Sequence, residues 1–239
     1  MNYTQRIIDY CIKNRVSTTE VADALGKSGV IPKVLPVNKG MHRVGKVRCV
    51  FTSNNSNWEV HEQIKQVKPG EVVIIFIENF DDDRAVIGDL ISKFVLLYKQ
   101  ASAIVVNGNV RDTARLIRDR YAIWSVGVSP LGCYNQHLGD FPYGSTLSLN
   151  DMYNDGIAVC DDGGVTVIPK VCINEDMLNR LQRIEMQEDI WAFCLDALKW
   201  DTKKIVCDKE YLKDTDLLSS IHLEQLKELN KPLDSPPNK

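Results

Sequence analysis

Apolar residues follow two rhythms along this chain, and their alternation predicts an α/β fold. Residues 72–77 (VVIIFI) form a near-continuous, β-branched run of strand length, the pattern of a strand buried on both faces. Residues 103–106 (AIVV) form a second such run. Between them Val86, Ile87, Leu90, Ile91, Phe94, Val95 and Leu97 recur at helical spacing, which predicts a crossover helix returning the chain to a parallel neighbour. Residues 71–112 therefore read as one β-α-β unit around which the rest is organised.

Upstream, Ile7, Ile8, Cys11 and Ile12 mark one face of an N-terminal helix over residues 2–14. Ser17-Thr18-Thr19-Glu20 supplies hydroxyl caps and a carboxylate for a second helix over 18–25. Residues 29–52, with Pro32, Pro36, Gly40 and Gly45, predict an irregular entry and one strand. A helical stripe over 58–67 is broken by Lys68-Pro69-Gly70. Downstream, 114–118 continues helically and 121–128 reads as a strand. Residues 131–153 lack periodicity and read as loop and edge structure. Two alternating runs around Asp161-Asp162-Gly163-Gly164 predict a β-hairpin over 155–169. A long apolar helix follows over 175–198, then a charged stretch ending in Pro-Leu-Asp-Ser-Pro-Pro-Asn-Lys, read as an amphipathic appendage with a disordered tip. The expected organisation is one α/β domain over 1–199 and a charged tail over 200–239.

Composition narrows the functional classes. A net charge of −3, from 29 basic and 32 acidic residues, gives no field that would gather nucleic acid or anionic lipid. No apolar run reaches membrane-spanning length and residues 1–15 lack a signal-peptide core, so a soluble, cytoplasmic protein is expected. The seven cysteines include no C-x-x-C pair, which favours reduced, mostly buried thiols. The four histidines have no ligand spacing, and His61 reads as a packed or solvated residue.

Candidate chemistry gathers where the two central strands end. Ligands of open parallel sheets collect outside the carboxyl ends of the strands, the edge that carries Gly88-Asp89 and residues 107–112 (NGNVRD). If the crossover helix begins near Gly88, the free amides over 88–91 form a seat for a carboxylate or phosphate. Arg111 offers a fork for a second oxygen, and Asp112 a carboxylate for a hard divalent cation, since Mg²⁺ needs only one or two protein carboxylates. A plain structural role stands beside this: Asp89 and Asp112 would also suit helix starts, where the dipole favours an acid. The Asp81-Asp82-Asp83 run reads as a solvated turn.

Five stretches together carry a resemblance: residues 17–26 (STTEVADALG), 68–73 (KPGEVV), 88–91 (GDLI), 106–112 (VNGNVRD) and 161–169 (DDGGVTVIP). Over roughly residues 16–190 the chain resembles the family of regulator of ribonuclease activity A and 4-hydroxy-4-methyl-2-oxoglutarate aldolase. The resemblance implies a swivelling β/β/α-type domain in trimers or hexamers with sites at subunit interfaces. It implies a class II pyruvate aldolase that also decarboxylates oxaloacetate, using Mg²⁺ or Mn²⁺. By carry-over, Gly88 and the amides of Leu90 and Ile91 bind the pyruvyl carboxylate, Arg111 the keto oxygen, and Asp112 the metal. Asp89 helps hold the water that exchanges the proton, assisted by Glu188 of a neighbouring subunit, with Glu185 the fallback. Ribonuclease-binding members lack an acid after the arginine, so Asp112 favours an enzyme over a purely regulatory binding protein. The chain departs from the pattern at Asn154-Asp155-Gly156, where Pro-Gly-Asp is usual, and over 131–153. No G-x-G-x-x-G follows an expected strand, which argues against a nucleotide-cofactor methyltransferase.

Overall fold

A computed structural model describes residues 2–213 and 215–229, and divides them into two compact units that meet at Asn174 and Glu175. In the first unit the elements run α1 (Tyr3–Asn14), α2 (Thr18–Ala24), β1 (Leu35–Pro36), β2 (Arg43–Ser53), α3 (Trp58–Gln63), β3 (Val72–Glu78), β4 (Arg84–Ile87) and α4 (Asp89–Lys93). They continue as β5 (Ala103–Val110), α5 (Thr113–Arg118), β6 (Ile123–Val128), β7 (Leu131–Gly132), α6 (Tyr143–Tyr153), β8 (Ile157–Asp161) and β9 (Gly164–Ile168).

The central strands pair in parallel, β2 with β3, β3 with β5 and β5 with β6, placing Cys49 beside Ile74, Ile74 beside Val105 and Val105 beside Trp124. Strand β2 serves two neighbours. Residues 47–53 pair with β3, while 43–46 pair antiparallel with β8 and so lead into the β8–β9 hairpin. Because side chains alternate along each strand, the sheet presents two apolar faces. Val73, Ile75, Ile104, Val106 and Ile123 meet Val60 of α3, Ile91 of α4 and Leu116 of α5. Val72, Ile74, Phe76, Val105 and Trp124 meet Ala158, Cys160, Val165 and Val167 of the hairpin. The result is a hairpin, a sheet and a helical layer, the β/β/α order that the family resemblance implied. Each fully buried aliphatic side chain here contributes on the order of 2 kcal/mol. The indole Nε1–H of Trp124 also donates to the Asp161 carbonyl at 2.7 Å, tying sheet to hairpin.

Local rules hold at the first helices. Ser17 and Glu20 form a reciprocal capping box, with Glu20 N–H donating to Ser17 Oγ at 3.1 Å and Ser17 N–H to Glu20 Oε2 at 2.6 Å. Two segments depart from expectation. Val86 and Ile87, expected on the crossover helix, lie on β4, which pairs in parallel with β5 and β7. Their spacing to Leu90 and Ile91 matches a helix, but both are fully buried between strands, and the helix starts only at Asp89 before a π-helical turn over Phe94–Tyr98. Residues 131–153, expected as loop, contain β7 and the eleven-residue helix α6, which buries none of its side chains fully and so carries no periodic signal.

The second unit comprises α7 (Glu175–Asp196), a π-helical turn over Lys203–Cys207, short 3₁₀ turns, and α8 (Ser220–Leu229). Ile190, Cys194, Trp200, Ile205, Tyr211, Leu218 and Leu226 make its core. The long helix expected to close the first domain therefore groups with the residues after it, and the expected tail is a folded helical unit over its described part. The tip expected to be disordered lies outside the described residues. Among those described, no helix is long and apolar enough to cross a membrane.

Candidate active site

The end of β5 and the β4–α4 junction lie side by side because their ladder continues past the strands: Arg111 N–H donates to the Ile87 carbonyl at 3.0 Å. Register shifts interrupt the pairing of β5 with both β4 and β6 near Asn107–Asn109. Such irregularities re-aim the side chains that follow. Gly88 and Asp89 on one strand-to-helix turn thus face Arg111 and Asp112 on the next.

Asp112 adopts the left-handed conformation, with φ +59° and ψ 30°, which is costly for a residue with a Cβ. It precedes α5 without capping it through its side chain. Instead its Oδ2 accepts the Asp89 N–H at 3.0 Å, so the carboxylate binds the start of a different helix. The first intrahelical bond of α4 runs from Ser92 N–H to the Gly88 carbonyl, leaving the amides of Leu90 and Ile91 ahead of it. Asp112 Oδ1 takes no hydrogen bond among the described residues, and the side chain is 43% exposed.

Arg111 lies in a slot between two residues that lack side chains. A Cβ at Gly132 would come within 3.1 Å of the guanidinium carbon and closer still to Nη1, and one at Gly88 within 2.9 Å of Arg111 Cγ. Gly132 is held opposite Ala85 by the β4–β7 pairing. The Arg111 Nε to Asp112 Oδ2 distance is 3.9 Å, a loose ion pair that leaves the fork available. Asp89 Oδ2 accepts from Arg115 Nη1 at 3.2 Å, while Asp89 Oδ1 is buried and takes no hydrogen bond.

A cavity of about 230 Å³ opens on this cluster, lined by Gly88, Leu90, Ile91, Arg111 and Asp112 and walled by Asn57, His61, Cys133 and Asn135. A second, of about 470 Å³, shares Arg111 and Asp112 and adds Arg115, Val128 and Ser129. Gly88, Leu90, Ile91, Arg111 and Asp112, expected at one site from the sequence, therefore line one cavity, with Asp89 fixed beside it. Glu188 is exposed on α7 in the second unit, and Glu185 lies on the same helix.

The wall residues were not legible as site residues. Asn57 reaches the cavity because it begins α3 and its Nδ2 donates to the Val86 carbonyl at 3.1 Å; its Oδ1 is buried without a hydrogen-bond partner. His61 follows one helical turn later on the same element. Cys133 is brought in by β7, and burial pushes its thiol pKa up against the opposing pull of Arg111 and Arg84. Among the described residues no group of three or more His, Cys, Asp or Glu is arranged to hold a metal, and the carboxylate in the cavity lining is that of Asp112, a set of fewer than three ligands even with a wall residue added. That set does not fit zinc or calcium, which demand several protein ligands, but fits a magnesium-like ion that keeps most of its shell as water and substrate oxygens.

The sequence pattern of the RraA-like family, described as Aldolase/RraA, matches residues 18–167. An uncharacterized protein from Pseudomonas syringae pv. tomato superposes with a TM-score of 0.63 at 22% identity, covering 78% of this chain and 86% of its own. Streptomyces coelicolor RraAS2, described as an unusual member of the RNase ES inhibitor RraA protein family, superposes with a TM-score of 0.60 at 20% identity, covering 74% and 91%. The RNA-processing inhibitor RraA from Thermus thermophilis does so with a TM-score of 0.50 at 18% identity, covering 64% and 92%. At these identities the structures speak for the fold, and the match over residues 18–167 shows that the chain belongs to the RraA-like family, Aldolase/RraA.

Proposed function

We propose that the chain is a divalent-metal-dependent lyase that cleaves 4-hydroxy-2-oxo acids and decarboxylates oxaloacetate by way of a pyruvate enolate. The observation that carries this reading is the convergence of Gly88, Asp89, Arg111 and Asp112, with Asp112 latched to the Asp89 amide and Arg111 seated between two glycines. The family includes both lyases and ribonuclease inhibitors, so the assignment rests on the chemistry of these residues.

The amides of Leu90 and Ile91, with Gly88 allowing close approach, bind the carboxylate of the 2-oxo acid. Arg111 donates to the C2 keto oxygen and stabilises the charge that grows there. In retro-aldol cleavage the C3–C4 bond breaks, its electron pair enters the C2–C3 enolate, and the C4 hydroxyl gives up its proton to the water held by Asp89 as the carbonyl product forms. In decarboxylation the same bond breaks with release of CO₂. Asp112 would hold Mg²⁺ or Mn²⁺, which when bound supplies Lewis acidity toward the keto oxygen. Asp89, beside the cavity, holds the water that delivers or removes the C3 proton. Glu188 from another copy of the chain, in a trimer or hexamer, would assist it.

Purified protein supplied with Mg²⁺ should release pyruvate from oxaloacetate and lose that activity with a chelator, recovering it on re-addition of the ion. Absence of metal-dependent turnover of both oxaloacetate and 4-hydroxy-2-oxo acids would sink this reading. The likeness to the Streptomyces member of the RNase ES inhibitor family and to the RNA-processing inhibitor from Thermus favours a second one, a regulatory binding protein that has kept the scaffold. Stoichiometric capture of a ribonuclease, undiminished by Asp112→Ala, would establish it instead.

A further inference from the structure

We infer that Arg115 is a positioning residue for Asp89, an inference that rests on the 2-oxo acid chemistry proposed above. Asp89 is gripped at two points, and both grips come from residues 112–115. Its amide N–H donates to Asp112 Oδ2 at 3.0 Å, and its side-chain Oδ2 accepts from Arg115 Nη1 at 3.2 Å. The left-handed turn at Asp112 makes this possible. It starts α5 at once, with Arg115 N–H donating to the Asp112 carbonyl at 2.8 Å, and brings the third residue of that helix back over the first residue of α4.

The pair is asymmetric. Arg115 is 65% exposed and Asp89 only 20%, so as a stabilising ion pair it contributes little. Its geometric effect is larger. With Oδ2 held by Arg115, the orientation of the carboxylate is restrained, and Oδ1 is turned inward, buried and without a hydrogen bond. Arg115 also lines the 470 Å³ cavity with Arg111 and Asp112, whereas the 230 Å³ cavity beside Gly88 and Leu90 does not include it.

The two reactions separate this role from a structural one. Loss of CO₂ from oxaloacetate forms the enolate without a base, whereas exchange of the pyruvate methyl protons requires C3–H removal and return. Arg115→Ala should lower the rate of pyruvate methyl exchange in D₂O roughly tenfold or more, within the range typical of a disturbed general base. The kcat for oxaloacetate decarboxylation should fall less than about threefold with KM unchanged, and Arg115→Lys should recover most of the exchange rate. Thermal unfolding should move by no more than about 4 °C, as for loss of one exposed ion pair. A crystal structure of Arg115→Ala should show the Asp89 carboxylate rotated, a readout that needs no turnover. Exchange at the wild-type rate, an unmoved carboxylate, or a parallel fall of both reactions with unfolding would each overturn the inference while leaving the proposed function intact. Wild-type protein that catalyses neither reaction would overturn both.

Discussion

Cavities open on both sides of the carboxyl edge of the central sheet, and the one on the hairpin side, though larger than the cavity beside Gly88, is the poorer candidate. On the helical side about 230 Å³ opens beside Gly88, Arg111 and Asp112; on the hairpin side about 550 Å³ opens between Phe76, Phe141 and Tyr153, with Glu78, Asn107, Ser145 and Ser148 supplying polar groups. The side chains of those four make no hydrogen bond among the described residues, so no protein contact fixes where their donors and acceptors point. Beside the smaller cavity the groups hold one another: the Asp89 amide on Asp112, the Arg115 guanidinium on the Asp89 carboxylate, and two glycines around Arg111. Charge development during a reaction is met best by dipoles already in place, because reorienting them would cost the free energy they are meant to supply. Restraint rather than volume therefore marks the site, and substitution offers a way to break the contrast.

The largest effects should come from the groups that meet charge directly. Arg111→Ala and Asp112→Ala should each lower oxaloacetate turnover by about 10² to 10³, the cost typical of removing one oxyanion donor. Asp112→Ala should also abolish the response to added Mg²⁺, which titration by calorimetry would show as lost binding. Retention of full metal-dependent activity by either variant would remove the reason for preferring the smaller cavity.

Gly132→Ala is a finer probe. The new methyl group would meet the Arg111 guanidinium, the free end of a flexible side chain, so the fold can keep its backbone while the arginine is displaced. A displacement near 1 Å at a reacting centre costs on the order of 10² in rate. Turnover should therefore fall by about that factor while thermal unfolding stays near the wild-type value. If activity survives, Arg111 does not need the slot, and the contrast between restrained and unrestrained cavities loses its main support.

How far these positions were readable in the sequence depends on which forces placed them. The buried parallel strands announced themselves because residues covered on both faces are apolar without interruption, and β3 and β5 pair as that pattern required. The Ser17–Glu20 capping box and the β8–β9 hairpin were equally plain, each being set by contacts a few residues apart. Strand β4 was not, since Val86 and Ile87 lie at spacings to Leu90 and Ile91 that a helix also satisfies, although the start of α4 at Gly88 was legible. Helix α6 was hidden because Gly144, Ser145, Thr146, Ser148 and Asn150 are poor helix formers and no face of it is buried. The G-D-L-I and V-R-D stretches marked the site, but Asn57, His61, Gly132 and Cys133 arrive from elements separated by tens of residues. The pairing of β4 with β7, the hydrogen bond of Asn57 to Val86 and that of Cys133 to Ala85 bring them in.

The smallest expected effects belong to the larger cavity, and they test the comparison from its other side. Glu78→Gln removes a charge that no described cation neutralises through a side-chain contact, and Ser148→Ala removes a hydroxyl that bonds to nothing described. Neither leaves a partner unsatisfied, so each should change stability by less than about 0.5 kcal/mol, as for an ordinary surface substitution. Neither group touches Arg111 or Asp112, so oxaloacetate turnover should stay within about twofold of wild type, below what loss of even a single weak hydrogen bond would give. A tenfold loss in Glu78→Gln, with unfolding unchanged, would show that the hairpin-side cavity takes part in the reaction despite its loosely held groups, and restraint would then no longer distinguish the two.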